Sequence, residues 1–225
     1  MYRILAFAVL AAVVFTFAVT PASYAEPLLL CGAETVFEID TATAAGGTIE
    51  KTWVWDARQC KDLPEEVRGT FRTTDDCKPL DGGAKVLVSS SSGGCALVER
   101  PSGKALWYAV VANAHSIAML PHNRIVVASS TNARGNRLVL FDLATSNRPI
   151  WDTPLVSAHG VVWDADRQVL WALGFDELQC YELQDWQSDT PSMKKTAVYR
   201  LPDPSGHDLQ AVPGSDDLVV TSGKH

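Results

Sequence analysis

From about residue 85 onward the chain keeps one rhythm of apolar and polar positions. A short apolar stretch meets a polar turn, and a fuller apolar stretch follows. Lys85-Val86-Leu87-Val88-Ser89-Ser90, Arg124-Ile125-Val126-Val127-Ala128-Ser129-Ser130 and Val169-Leu170-Trp171-Ala172 are three such fuller stretches, and Leu218-Val219-Val220-Thr221-Ser222 is a fourth. Each is short, rich in β-branched residues and bounded by Gly, Asn, Asp, Ser or Pro, which is the pattern of a β-strand between turns. Around the second of them the spacing predicts four strands, over 116–120, 124–130, 137–142 and 149–153. A helical period is almost absent; only 63–67 predicts a single turn.

The strands repeat as units. Ala114-His115-Ser116-Ile117-Ala118-Met119-Leu120 aligns without a gap on Ala158-His159-Gly160-Val161-Val162-Trp163-Asp164, an offset of 44 positions. Gly206-His207-Asp208-Leu209 begins a third copy 48 positions later. An earlier copy, lacking the His, runs from Asp76-Cys77-Lys78-Pro79-Leu80 into Lys85-Val86-Leu87-Val88. The first starts at Leu28-Leu29-Leu30-Cys31-Gly32, without an innermost strand. Four strands in a period of roughly 40 to 45 residues make one blade of a β-propeller. One small sheet cannot bury both of its faces, and stacking blades around an axis covers them. The expected class is therefore all-β, a propeller of four-stranded blades. Residues 26–225 read as a partial ring of about four and a half blades, part of a ring of roughly six or seven.

The N-terminus has a different character. Arg3 precedes an uncharged apolar run from Ile4 to Val19, Pro21 breaks it, and Ser23-Tyr24-Ala25 offers small residues to a signal peptidase. The run falls short of the roughly 20 residues that span a bilayer. Residues 1–25 are expected to be a cleaved signal peptide, the protein being secreted or periplasmic with no membrane span after cleavage. The 19 Lys and Arg against 26 Asp and Glu give a net charge of −7, and loss of Arg3 makes it one more negative. Such a surface repels phosphate backbones, which excludes nucleic acid as a natural partner. Export permits disulfides, but five cysteines cannot all pair. Cys60 and Cys77 bracket a loop-rich stretch and are the expected pair; Cys31, Cys95 and Cys180 sit in apolar strand patterns as small buried residues.

The Ala-His or Gly-His step before an innermost strand, with Phe141-Asp142 ending a later one, resembles the Gly-His and Trp-Asp signatures of WD repeats, although no Trp-Asp closes a blade here. Thr74-Asp75-Asp76-Cys77-Lys78, Asn113-Ala114-His115-Ser116, Gly135-Asn136-Arg137-Leu138 and the segment from Ser157 to Asp164 resemble an uncharacterised bacterial family of secreted WD-like propellers. That resemblance spans nearly all of 28–225. It implies the fold and carries no assigned activity.

The chemistry on offer is a ring of histidines. His115, His159 and His207 hold one position in three successive units, and Asp75 or Asp76 holds it in the unit before. Equivalent positions of a propeller lie on one ring near one mouth of its axis. Three imidazoles there have the donor type for a divalent metal cation, with a carboxylate as a further ligand. The alternative is a structural His that hydrogen-bonds within its blade. Lys78 and Arg137 are candidates for binding a carboxylate or sulfate near the channel mouth, and Trp163 and Trp186 for stacking on a sugar. Nucleophile elbows, zinc-protease His pairs and dinucleotide fingerprints do not occur. The expected function is binding of a small molecule, carbohydrate or protein ligand at the channel mouth. The alternative is a metal-dependent carbohydrate-active enzyme resembling a polysaccharide lyase.

Overall fold

The computed structural model describes residues 27–42, 47, 49–145 and 147–223. The expected signal peptide lies outside them. Among the described residues, seventeen strands form five antiparallel sheets in chain order. The first holds β1 (Leu28–Gly32), β2 (Thr35–Ile39) and β3 (Lys51–Asp56). The second holds β4 (Thr74–Leu80), β5 (Lys85–Ser90), β6 (Gly94–Glu99) and β7 (Ala105–Val110). The third holds β8 (Ala114–Leu120), β9 (Arg124–Ser129), β10 (Arg137–Asp142) and β11 (Trp151–Pro154). The fourth holds β12 (Gly160–Asp164), β13 (Val169–Leu173), β14 (Glu177–Gln184) and β15 (Ser192–Arg200), and β16 (Gly206–Ala211) with β17 (Leu218–Ser222) makes the fifth. The one α-helical turn among the described residues, α1 (Glu65–Arg68), falls where a turn is expected.

Within each sheet, strands pair in chain order, so every blade is a simple meander. The first strands β4, β8, β12 and β16 lie side by side, blade against blade. Sheets stacked in this way are propeller blades, as the repeat predicts.

Burial explains the apolar rhythm. Every residue of β9 is buried, and so are all but the first of β5. These second strands are covered on both faces by neighbouring blades. Alternate side chains serve different interfaces, because successive residues of a strand point to opposite faces. Val86 and Val88 join Val36, Trp55 and Phe71 between the first and second blades, while Leu87 joins Ile117, Ile125 and Val127 between the second and third. Val126 and Ala128 then turn the other way, toward Val161, Leu170 and Tyr181 of the fourth. The outer strand β7 alternates buried and solvated positions, since only one of its faces meets protein.

One covalent expectation fails. All five cysteines are free thiols, Cys60 and Cys77 among them. The Cys60 thiol lies 3.6 Å from the carbonyl oxygen of Gly103, and Cys77 turns its thiol to Cys31 on the first blade. The loop-rich stretch between Cys60 and Cys77 folds into short helical turns whose Val67 and Phe71 pack into the core, and these carry the two thiols to different partners.

Candidate functional site

The site is built by a repeated irregularity at the start of the innermost strands. In β4, β8 and β16 the register slips by one residue between Thr74 and Asp76, between Ala114 and Ser116, and between Gly206 and Asp208. The extra residue in each bulge is Asp75, His115 or His207. A bulge frees its residue from the ladder and re-aims its side chain. His159 holds the same place just ahead of β12, its backbone N–H donating to the carbonyl of Leu173 at 2.9 Å. Four successive blades thus present Asp75, His115, His159 and His207 along one arc.

The side chains meet. Asp75 Oδ1 stands 3.3 Å from His115 Nδ1. The ring centres of His115 and His159 are 4.3 Å apart, and those of His159 and His207 are 5.2 Å apart, with successive rings tilted by 39° and 38°. The repeat spacing therefore brings the three predicted histidines together. Of the two aspartates considered beside them, the bulge selects Asp75 for the arc.

His159 is held most firmly. The carbonyl oxygen of Ser157, 2.8 Å from Nδ1, can only accept, so Nδ1 carries the proton and Nε2 keeps its lone pair. The hydroxyls of Ser130 and Ser157 lie 3.2 and 3.1 Å from the same nitrogen. Burial holds the pKa of both His115 and His159 below the ordinary imidazole value. For His115 the neighbouring His159 adds to the depression, and Asp75 opposes it without prevailing. Both rings are neutral at pH 7 and offer hydrogen-bonding edges and flat faces, not positive charge. Among the described residues, no three of His, Cys, Asp or Glu stand in an arrangement that could hold a metal ion.

Asp76 and Lys78 lie on the same strand as Asp75 but belong to an inner lock. Asp76 Oδ2 accepts from Ser116 Oγ at 2.7 Å, from the backbone N–H of Ile117 at 3.3 Å and from Lys78 Nζ at 2.9 Å. Lys78 Nζ also donates to Ser116 Oγ at 3.0 Å and to the carbonyl of Val161 at 2.7 Å, and Val161 N–H donates to Ser116 Oγ at 3.2 Å. Innermost strands of three consecutive blades are stitched together by this cluster. Its charges are satisfied by one another, which is the condition for keeping them buried.

Arg137 stands elsewhere on the same side. It pairs with Asp152 at 2.8 Å and lines a cavity of about 410 Å³ between the second and third blades. Ser91, Asn113, Asn132 and Arg134 share that wall. Ser91 also donates its backbone N–H to Asp75, so the cavity opens beside the arc. Arg134 makes no ion pair among the described residues. No local motif marks this cavity in the sequence, since its walls come from turns of two blades. The two tryptophans considered for sugar stacking are partly buried against the core, each with one side on a cleft. Trp186 donates to the carbonyl of Pro121 at 3.1 Å and carries the Arg124 guanidinium over its ring, and Trp163 packs on the core between the third and fourth blades.

Comparison with known proteins agrees with this architecture. A chain in the crystal structure of a mitotic checkpoint complex resembles it with a TM-score of 0.63 at 9% sequence identity, over 84% of this chain and 55% of that one. The chain thus spans about half the length of that neighbour. At that identity the likeness concerns the fold alone, and 1017 solved chains match significantly, so the fold by itself assigns no activity. No curated protein matches the sequence significantly. Residues 32–223 match a family described as a family of unknown function, DUF6528, and with most of its length covered the chain belongs to that family.

Proposed function

We propose that this protein is an exported binding propeller whose ligand, a small molecule, glycan or protein segment, docks at the mouth marked by Asp75, His115, His159 and His207. The convergence of four equivalent blade positions on one arc carries this reading, with ring centres 4.3 and 5.2 Å apart. The adjoining cavity supports it, because Arg134 places positive charge on its wall, beside the Arg137–Asp152 pair, in an otherwise acidic protein. A ligand bearing a carboxylate or sulfate would find both a guanidinium and neutral imidazole edges there. The test is to follow the imidazole Cε1–H resonances while titrating a carboxylated disaccharide such as digalacturonate. Shifts confined to His115, His159 and His207 are the expected result; binding that leaves all three unmoved overturns the reading. Export rests on the pattern of residues 1–25. N-terminal sequencing of the protein recovered outside the cytoplasm should begin at Glu26.

A second reading, a metal-dependent carbohydrate-active enzyme, draws support from the tautomer of His159. With Nδ1–H held by Ser157, its Nε2 is free in the way that metal-ligating imidazoles are usually prepared. The tilted row would have to turn its rings toward a common point to use that lone pair. Elemental analysis of the purified full-length protein tests this. A stoichiometric metal that is lost in His159→Ala would bring the second reading forward, and its absence would count against it.

A further inference from the structure

We propose that Cys31 and Cys77 form a disulfide that joins the first blade to the second. Both residues occupy a position at which neighbouring blades touch. Thr74 N–H donates to the carbonyl of Ala33 at 2.8 Å, just as Gly206 N–H donates to the carbonyl of Phe175 at 2.8 Å. Counting from those matched bonds, Cys31 corresponds to Leu173 and Cys77 to Leu209. Leu173 and Leu209 are both fully buried and belong to one hydrophobic cluster between the fourth and fifth blades. Where those blades oppose two leucines, the first two oppose two thiols.

The thiols interact directly. Hydrogen bonding from Cys77, helped by Thr74, holds the Cys31 thiol below its ordinary pKa, and the same interaction pushes Cys77 up. Both side chains are partly buried against the core between these two blades. The remaining cysteines are placed differently. Cys60 lies against the Gly103 carbonyl, and Cys95 is wholly buried, its thiol pushed up by desolvation. Cys180 sits on the fourth blade.

The oxidant is a disulfide, either glutathione disulfide or the disulfide of a thiol oxidase. Cys31 thiolate attacks one sulfur of that donor, forms a mixed disulfide and expels the other sulfur as a thiolate. Cys77 then loses its proton to solvent and attacks the Cys31 sulfur, expelling the second donor thiolate. Two protein thiols and one donor disulfide become one protein disulfide and two donor thiols. The donor takes up the two electrons. The bond closes a long loop of chain, and restriction of the unfolded state grows with loop length.

The experiment uses the mature chain incubated with glutathione disulfide, alkylated, and digested with trypsin without reduction. Lys51, Arg58, Lys61 and Arg72 place Cys31, Cys60 and Cys77 on separate peptides. A linked Cys31–Cys77 peptide is expected, unchanged in Cys60→Ala and lost in Cys31→Ala. The oxidised protein should melt higher than the reduced one by on the order of 10 °C. Circular dichroism on each sample establishes that it is folded. Folded protein whose Cys31 and Cys77 stay alkylatable, or stop as glutathione adducts, overturns the proposal. So does a dominant Cys60–Cys77 peptide.

Discussion

The rings of His115 and His159, 44 residues apart in the chain, lie with their centres 4.3 Å apart and a tilt of 39°. Neither ring is paired strongly enough to stay protonated; His159 disfavours a charge on His115, and His207 disfavours one on His159. A proton placed on one must be accommodated beside the second imidazole in a partly buried site. The arc is therefore poised to respond to acid.

Stability should fall as the pH drops from 7 toward 5.5. Both histidines have folded-state pKa values below the ordinary 6.5, so in this window the unfolded chain binds more protons than the folded one. Stability that is complete above the unfolded pKa is then lost through it on acidification. Thermal melts across this range should show the slope, and His159→Gln should flatten it. A wild-type melting temperature independent of pH between 7 and 5.5 would contradict the assignment.

The lock beneath the arc should respond unequally to its two charges. Asp76→Ala leaves the Lys78 ammonium between blades with only Ser116 and a carbonyl for company, and breaking a buried pair in this way costs about 3–5 kcal/mol. Lys78→Met is milder, because Asp76 still accepts from Ser116 Oγ and Ile117 N–H. Urea denaturation should rank the two in that order. Losses that are equal would contradict this ranking, and a larger loss for Lys78→Met would mean that the ammonium, not the carboxylate, organises the cluster.

Much of this was legible in the chain. The second strands announce themselves as continuous apolar runs because two neighbouring blades cover them, and the 44-residue offset placed His115 and His159 correctly. What escaped was whatever depends on register between blades. Choosing Asp75 over Asp76 for the arc requires knowing that the strand bulges at its second residue. Lys78 reads as a cation waiting at the channel mouth for an anionic ligand, but its ammonium is taken by Asp76, Ser116 and the Val161 carbonyl. Sequence nearness pairs Cys77 with Cys60, whereas its neighbour lies on the preceding blade. The cavity beside the arc has walls from two separate turns, and no local pattern marks it.

Gly160 follows His159 and lets the fifth blade approach. A Cβ at this position would lie 2.4 Å from Leu209 Cβ and 3.1 Å from Leu209 N. Backbone and a fully buried side chain are what it would meet, so relief requires β16 to move as a whole. Overpacking of this kind costs about 1–3 kcal/mol. Because His207 is the bulge residue of β16, the same movement should separate it from His159. Gly223→Ala, just after β17, is the control, since its nearest neighbour would be Ser205 Cβ at an ordinary 3.5 Å. Gly160→Ala should therefore lower the denaturation midpoint and weaken the nuclear Overhauser contact between the His159 and His207 rings, while Gly223→Ala changes neither. If Gly160→Ala leaves that contact intact, the close approach at Leu209 does not set the geometry of the arc.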